Sequence, residues 1–265
     1  MKARSFLGVA LTLTSAGLLV AETLATDQQE TFLRTAKVIG AKSAKKGVTK
    51  TLRVTLSDGK VTHDASVQTV NESRAIFQGN GTTEYNFKDT YLFNIAGWKL
   101  AKMLGIDDMV PPSVPRSYKG TSGAFTWWID GAMDEGDRVQ KKLEPPDTDS
   151  WVREIQVMHV FDQLIYNTDS NATNLLIDPQ WHIWMIDHSR AFRRQKTLRD
   201  PKLLSRCDRT LLAKMKTLNL ASLQAEMKDY LDRREIEDLL TRRDLLVKFF
   251  EDQGDTVLFD RPARR

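Results

Sequence analysis

The sequence predicts an α+β protein of two lobes, a small antiparallel β-rich lobe followed by a mainly helical lobe. Two runs of alternating β-branched residues, 52–56 and 61–70, flank Asp58-Gly59, a dipeptide that supplies the positive φ of tight hairpins. Pro145-Pro146 precedes a stretch in which apolar residues recur every three or four positions. With 265 residues, 41% of them hydrophobic, the chain is long enough to form two such lobes.

The first 25 residues have the features of an export signal. Lys2 and Arg4 precede a mostly apolar run over residues 6–21, and small residues around Ala21 and Ala25 offer cleavage points. We therefore expect an exported protein, periplasmic or secreted. An uncleaved membrane anchor is the alternative, because the run is only a little shorter than the roughly 20 residues of a spanning helix.

Charge and cysteine content exclude several classes of protein. The 39 basic and 35 acidic residues leave a net charge of +4, and no long block of like charge would dominate binding to nucleic acid. We therefore predict no nucleic-acid partner. Cys207 is the only cysteine, which excludes an internal disulfide and a cysteine-based zinc site.

The elements of the small lobe follow in order from the pattern of apolar residues. Residues 74–77 predict another strand, and from Phe87 the apolar period becomes helical, with Gly105 just past the end of the predicted helix. Residues 113–116 and 124–129 flank a glycine-containing turn and predict a second hairpin. The small lobe is therefore expected to contain strands, then one helix, then further strands.

The helical lobe begins with an amphipathic helix over residues 151–165. A compact hairpin follows, formed by residues 175–177 and 183–186, and two or three amphipathic helices are predicted from Asp208 onward. We divide the chain into a signal peptide (1–25), a linker (26–44), the β-rich lobe (45–130), a connector (131–150), the helical lobe (151–255) and a basic tail (256–265).

Three polar residues near this compact hairpin form the candidate site. Asp169 and Asn174 lie in a polar loop between a buried helix and a buried strand, and Asp187 follows the second strand, so folding of the hairpin brings Asn174 and Asp187 together. Phosphoryl transfer requires a carboxylate that orients or deprotonates the acceptor, and oxygen ligands that hold Mg²⁺ against the phosphates. Asp169 suits the first role, and Asn174 and Asp187 suit the second.

This arrangement resembles the atypical branch of the protein-kinase-like superfamily, which includes phosphatidylinositol 3- and 4-kinases and the secretory-pathway Golgi casein kinases. Asp-x-x-x-x-Asn, followed by a strand pair and an Asp, is the catalytic-loop spacing of that superfamily. The other segments that carry the resemblance are 161–169, 184–192, 94–100, 104–106 and 110–116. The resemblance implies a two-lobed protein-kinase-like fold that binds ATP or another nucleoside triphosphate, with Mg²⁺ or Mn²⁺, between the lobes.

Carried over by position, the resemblance makes Asp169 the catalytic base and Asn174 and Asp187 the metal ligands. It also makes Gly47-Val48-Thr49 a candidate for the loop that covers the phosphates, although a glycine turn is more often only a turn.

The sequence departs from this superfamily at an ion pair. Such kinases place a Lys on a small-lobe strand, where it pairs with the phosphates and with a Glu of the following helix. Here the strand positions that match are Gln68 and Gln78, and the helix position is Asn94. Amides form hydrogen bonds but do not neutralise phosphate charge. Lys88 either compensates for the lost cation or is a solvated residue.

Neighbouring residues allow two interpretations each. His188 is a metal ligand or a structural histidine, and Trp127 and Trp128 line an adenine cleft or belong to the core. A basic stretch just past Asp187 contacts an acidic substrate or a lipid headgroup, or it is solvated. Its members are Arg190, Arg193, Arg194, Lys196 and Arg199.

Three functions follow from this sequence. The first is a phosphotransferase that acts on a hydroxyl of an unidentified protein or small molecule. The second is a pseudokinase that binds a nucleotide or a partner without turnover, which the loss of the Lys and Glu favours. The third is a metal-dependent hydrolase that uses Asp169, Asp187 and His188.

Overall fold

A computed structural model describes residues 24–43, 51–79, 82–262 and 264. The helices are α1 (Thr26–Thr35), α2 (Leu92–Leu104), α3 (Glu135–Gln140), α4 (Thr148–Ile165), α5 (Arg209–Thr217), α6 (Leu220–Met227) and α7 (Arg233–Gln253). The strands are β1 (Lys37–Ser43), β2 (Leu52–Ser57), β3 (Thr62–Gln68), β4 (Asn71–Gly79), β5 (Thr82–Thr90), β6 (Ser113–Tyr118), β7 (Thr121–Trp127), β8 (Met133–Asp134), β9 (Leu175–Ile177), β10 (Ile183–Met185), β11 (Cys207–Asp208) and β12 (Leu258–Phe259). The predicted class, a β-rich N-terminal part followed by a helical part, is confirmed.

The small lobe is built on a five-stranded antiparallel sheet in the order β1-β2-β3-β7-β6. Its first predicted hairpin is confirmed: β2 and β3 pair, and Gly59 in the turn has a φ of +90°. The Asp58 carboxylate accepts hydrogen bonds from the backbone N–H groups of Lys60 and Val61, each at 2.8 Å, which fixes the turn. The second predicted hairpin is β6–β7.

Residues 26–43, which we predicted as part of a linker, instead form α1 and β1. Phe32 and Leu33 of α1 are buried in a cluster with Val54 and Phe125 of the sheet, and β1 is the edge strand beside β2. The prediction failed because α1 is short and mostly polar, so that Phe32 and Leu33 are its only large apolar residues.

The helix predicted from Phe87 begins later, at Leu92, and ends where expected, since Gly105 has a φ of +69°. Phe87 belongs instead to β5, which pairs with β4 as a separate two-stranded sheet outside the main one. The ring of Phe87 is buried beneath the guanidinium groups of Arg190 and Arg193. Its place in the helical period was therefore a coincidence of spacing.

The helical lobe packs α4 against α7, and β9 and β10 form the predicted hairpin. Three helices follow Asp208, within the range predicted. Residues 256–265 were predicted as a basic tail. The described part of this segment includes a turn and β12, and Arg261 donates two hydrogen bonds of 2.8 Å to the Asp108 carboxylate.

No helix in the described part of the chain is long and apolar enough to span a bilayer. Residues 1–23 lie outside the described residues, as do Gly47, Val48 and Thr49. The export signal and the phosphate-covering loop therefore stay predictions.

Candidate active site between the lobes

The loop that carries Asp169 is held by a buried carboxylate of α4. Asp162 accepts a hydrogen bond from Asn167 Nδ2 at 2.9 Å and another from Ser170 Oγ at 2.5 Å. Burial raises the pKa of Asp162, while the two hydrogen bonds and the charge of Arg199 lower it. Asn167 Oδ1 in turn accepts from the backbone N–H of Asp169 at 3.1 Å. Asp162 therefore holds the loop in place through Asn167 and Ser170. No sequence motif indicated this role.

The structure brings Asp169, Asn174 and Asp187 to the same place. The side-chain Nδ2 of Asn174 donates to the Asp169 carbonyl at 2.9 Å, which spans the loop. The backbone carbonyl of Asn174 accepts from Ile186 N–H at 3.0 Å, so Asp187 follows directly beside Asn174 at the open end of the β9–β10 hairpin. The five-residue and thirteen-residue spacings of the sequence thus converge on one edge.

Asp187 has an unusual backbone and a largely buried side chain. Its φ is +56°, and its Oδ1 accepts a long hydrogen bond, 3.4 Å, from the Ser189 N–H. Burial raises the pKa of Asp187, and the nearby charge of Asp89 raises it further. Hydrogen bonds from Ser189 and Gln68 oppose this rise.

The two amides that the sequence analysis matched to the ion pair of kinases, Gln68 and Asn94, are in contact. Asn94 Nδ2 donates to Gln68 Oε1, and Asn94 Oδ1 accepts from the backbone N–H of His188 at 2.7 Å. The Gln68 side chain also lies close enough to Asp187 to lower the pKa of its carboxyl. Hydrogen bonds through Asn94 therefore link β3, α2 and the segment that contains Asp187, and they do so without a cation.

Gln78 lies elsewhere. It is exposed near the end of β4, where it pairs with Thr83 of β5. Gln68 is instead the residue that hydrogen-bonds to Asn94. The structure thus separates two glutamines that the sequence pattern could not distinguish.

The Lys88 side chain forms ion pairs with the helical lobe. Its Nζ contacts Asp232 at 3.3 Å and forms a short ion pair with buried Glu235. Desolvation lowers the pKa of Lys88, but the hydrogen bond and charge of Glu235 outweigh this effect and raise it. Neither of the two interpretations, a compensating cation or a solvated residue, describes this ion-paired lysine.

A cation that the sequence analysis missed lies on the same face of the sheet as Gln68. Val54 of β2 and Val67 of β3 point into the core, so Arg53 and Gln68, one residue away in each strand, lie on the opposite face. Arg53 Nε donates to Asp64 Oδ2 at 2.5 Å, and its guanidinium lies 4.1 Å from the centre of the Trp128 ring. The alternation of buried and exposed residues along β2 is the sequence signal that could have placed Arg53 on this face.

Trp127 and Trp128 belong to opposite faces of the sheet. The Trp127 ring stacks on His63 at 3.7 Å and contacts Phe32 edge-on, within the small-lobe core. Trp128 lies with Arg53 on the face shared with Gln68. Only Trp128 is therefore placed to line a cleft between the lobes.

His188 is a buried histidine packed against α2. Its Nε2 has no hydrogen-bond partner among the described residues, and burial lowers its pKa to about 4. A Cβ at Gly97 would lie 3.0 Å from His188 Nδ1, so the glycine permits the close packing. The histidine also borders a cavity of about 300 Å³ beneath the loop, together with Asp162 and Met158.

The residues that the structure brings together suit a cation. Carboxylate and amide oxygens are the donors that Mg²⁺ prefers, and Asp187 and Asn174 supply one of each. Asp89 lies close enough for its charge to act on Asp187, and among the described residues its Oδ1 is shielded from solvent without a hydrogen-bond partner. In the same part of the chain, no three His, Cys, Asp or Glu side chains are grouped so that they could hold a metal ion.

The chain has the protein-kinase-like fold. It is similar to the crystal structure of the Golgi casein kinase, with a TM-score of 0.63 and 12% sequence identity, over 90% of this chain and 79% of that chain. A Helicobacter pylori proinflammatory kinase, CtkA, gives a TM-score of 0.48 and 11% identity over 81% and 92% of the two chains. No family model matches the chain, and no curated protein matches it.

Proposed function

We propose that this protein transfers the terminal phosphoryl group of a nucleoside triphosphate, ATP or another, to a hydroxyl group of a protein or small molecule. The observation that carries the proposal is the meeting of Asp169, Asn174 and Asp187 at one edge, in a chain that has the protein-kinase-like fold. Since the similar structure is by its name a casein kinase, a protein hydroxyl is one class of acceptor to test first.

Each residue has a distinct part in the proposed reaction. Asp169 accepts the proton of the acceptor hydroxyl while that oxygen bonds to the terminal phosphorus and the nucleoside diphosphate leaves. Asn174 and Asp187 would hold Mg²⁺ or Mn²⁺, which neutralises and orients phosphate oxygens when bound. Asp162 keeps the loop in place through Asn167 and Ser170.

The amide pair favours a second candidate, a pseudokinase that binds a nucleotide or a partner with little or no turnover. Gln68 and Asn94 satisfy each other and add no positive charge, whereas stabilisation of phosphate charge is a large share of phosphoryl-transfer catalysis. The two candidates share a binding site and differ in whether Asp169 is used.

A thermal-shift titration with ATP or GTP and Mg²⁺ tests both candidates. We expect the nucleotide to raise the Tm of the wild type and of Asp169→Ala but not of Asp187→Ala, because only Asp187 is a proposed metal ligand. Transfer of labelled phosphate to a protein acceptor should fall about 10²- to 10⁴-fold in Asp169→Ala, the usual contribution of a general base. Asp229→Ala, an exposed carboxylate on the helical lobe, is the matched control.

The outcomes separate the alternatives. A nucleotide shift with no transfer in the wild type would establish the pseudokinase. A wild type that responds to neither nucleotide would contradict both proposals.

We also propose that residues 1–25 direct export and are then removed, with an uncleaved membrane anchor as the alternative. The positive start, the apolar run and the small residues near Ala21 and Ala25 support removal. Intact mass spectrometry of the protein after cell fractionation tests the proposal: a full-length chain in the membrane fraction would favour the anchor.

A further inference from the structure

One arginine of α7 hydrogen-bonds to two segments that are far apart in the chain. The Arg242 side chain is fully buried, with 0% of the residue exposed. Its Nε donates to the Leu164 carbonyl at 2.8 Å. Its Nη1 donates to the Arg193 carbonyl at 3.1 Å and to the Gln195 carbonyl. One guanidinium group therefore joins the end of α4 to the segment 188–195.

Both of these segments adjoin the candidate site. Leu164 is the second-last residue of α4 and lies five positions before Asp169. The segment 188–195 directly follows Asp187. The Thr168 hydroxyl donates to the Arg190 carbonyl at 2.8 Å, so the two segments also touch one residue before Asp169. The position of one segment relative to the other therefore affects where the Asp169 carboxylate lies.

The end of α4 depends on these contacts for its hydrogen bonds. The last carbonyls of a helix have no partner within the helix. Here the Leu164 carbonyl accepts from Arg242, and the Ile165 carbonyl accepts from the Phe192 N–H at 2.5 Å. A cation beside the C-terminus of a helix also interacts favourably with the helix dipole. Arg242 therefore helps to fix the point at which the loop after α4 begins.

The bonding pattern requires an arginine rather than any cation. Nε and Nη1 are separate donors in one rigid plane, whereas a lysine has a single nitrogen. Burial lowers the pKa of Arg242 to about 10, and the charge of Asp238 opposes this effect. Among the described residues, Nη2 of Arg242 has no hydrogen-bond partner. Because a buried cation with an unpaired donor is costly, the geometry that it fixes is a better explanation of this residue than stability.

We propose that Arg242 is a positioning residue for phosphoryl transfer, an inference that rests on the proposed function. It holds the loop that carries Asp169 at a fixed place relative to the segment 188–195. Asn174 and Asp187 are brought together by the β9–β10 hairpin, to which Arg242 donates no hydrogen bond. Loss of the guanidinium fork therefore slows transfer more than it weakens binding of the nucleotide.

The next residue of α7 provides a matched control. Arg243 also donates to backbone carbonyls, those of Met215 at 3.2 Å and of Leu218, at the end of α5. Neither carbonyl belongs to the two segments beside the candidate site. Arg242→Lys and Arg243→Lys each lose a fork and keep the charge, so their comparison separates positioning from stability.

Three measurements are made on the full chain with each variant. The first is Tm with and without Mg-ATP. The second is hydrogen–deuterium exchange of the ranges 164–170 and 188–195. The third is steady-state transfer of labelled phosphate from Mg-ATP to myelin basic protein, a general acceptor. Arg242→Gln, which removes the buried charge and keeps one planar amide donor, is the second variant if Arg242→Lys does not fold.

We expect a lower Tm in both variants but faster exchange of the two ranges only in Arg242→Lys. Its kcat should fall about 10- to 100-fold, since a displacement of about 1 Å at the reacting groups has effects of this size. Its KM for ATP should stay within about twofold of the wild type, because the nucleotide is bound elsewhere. The kcat of Arg243→Lys should also stay within about twofold.

Several results would overturn the inference and leave the proposed function in place. They are an equal kcat in the two variants, equal exchange of the two ranges in both, or loss of the nucleotide-induced Tm shift in Arg242→Lys. The last result would make Arg242 a support of the nucleotide site instead. A wild type that transfers no phosphate would contradict the proposed function itself, whatever the variants show.

Discussion

The two lobes contribute very different chemistry to the space between them. The helical lobe presents a set of oxygen groups, Asp169, Asn174 and Asp187, on a loop and hairpin fixed by buried Asp162. The small lobe presents a pair of neutral amides, Gln68 and Asn94, where a kinase would present a Lys and a Glu. If the proposed function is right, the difference means that most of the positive charge for the phosphates would come from a bound cation, since Arg53 is already paired with Asp64.

The largest effect on the difference between the lobes is expected when the small lobe is given the Lys–Glu ion pair that it lacks. Asn94→Glu alone places a second carboxylate against Asp187, and we expect a loss of about 3–5 kcal/mol in the free energy of unfolding. The double variant Gln68→Lys/Asn94→Glu should recover most of this loss and bind ATP about 10-fold more tightly through one charge-assisted hydrogen bond. Urea unfolding and nucleotide titration measure the two effects.

The single variant Gln68→Lys completes the double-mutant cycle of Gln68 and Asn94. It should show a smaller change in stability than Asn94→Glu, because Asp187 is available as a partner. A double variant with the nucleotide affinity of the wild type would show that this position does not face the phosphates.

A second test asks whether the loop that carries Asp169 depends on the buried carboxylate of Asp162. Asp162→Ala leaves the donors of Asn167 and Ser170 without their acceptor, and we expect the free energy of unfolding to fall by about 2–4 kcal/mol. The Mg²⁺-dependent nucleotide shift should weaken too, because the loop loses its anchor. Urea unfolding beside Asp229→Ala measures the change, and equal stability of the two variants would mean that the loop is held by other contacts.

The smallest expected effect is an acid sensitivity of the helical lobe. Burial lowers the pKa of His159 in α4, and a hydrogen bond with the Leu203 backbone partly opposes this. Because the folded pKa lies below the unfolded value, the unfolded chain binds more protons, and stability falls as the pH drops from about 6.5 toward the folded pKa. The neutral variant His159→Gln should lose less stability than the wild type between about pH 7.5 and about pH 5.5. Equal losses would assign the sensitivity to other groups.

Local sequence patterns predicted most of the chain's elements. The Asp58-Gly59 turn, the helix end at Gly105 and the β9–β10 hairpin were all correct, because each depends on residues close together in the chain. The predictions that failed concerned α1, β1 and β5. The helix α1 is short and mostly polar and so gave no clear signal, and Phe87 matched the period of the helix that follows its strand.

The sequence by itself determined the three oxygen-bearing residues of the helical lobe, because their spacing and one hairpin are enough to bring them together. Only the tertiary structure decided that Gln68 rather than Gln78 meets Asn94, that Lys88 is paired with Glu235, and that Asp89 lies beside Asp187. These contacts join segments whose separation along the chain carries no periodic signal. They are set by how the sheet, the β4–β5 hairpin and the helices pack, which no local pattern encodes.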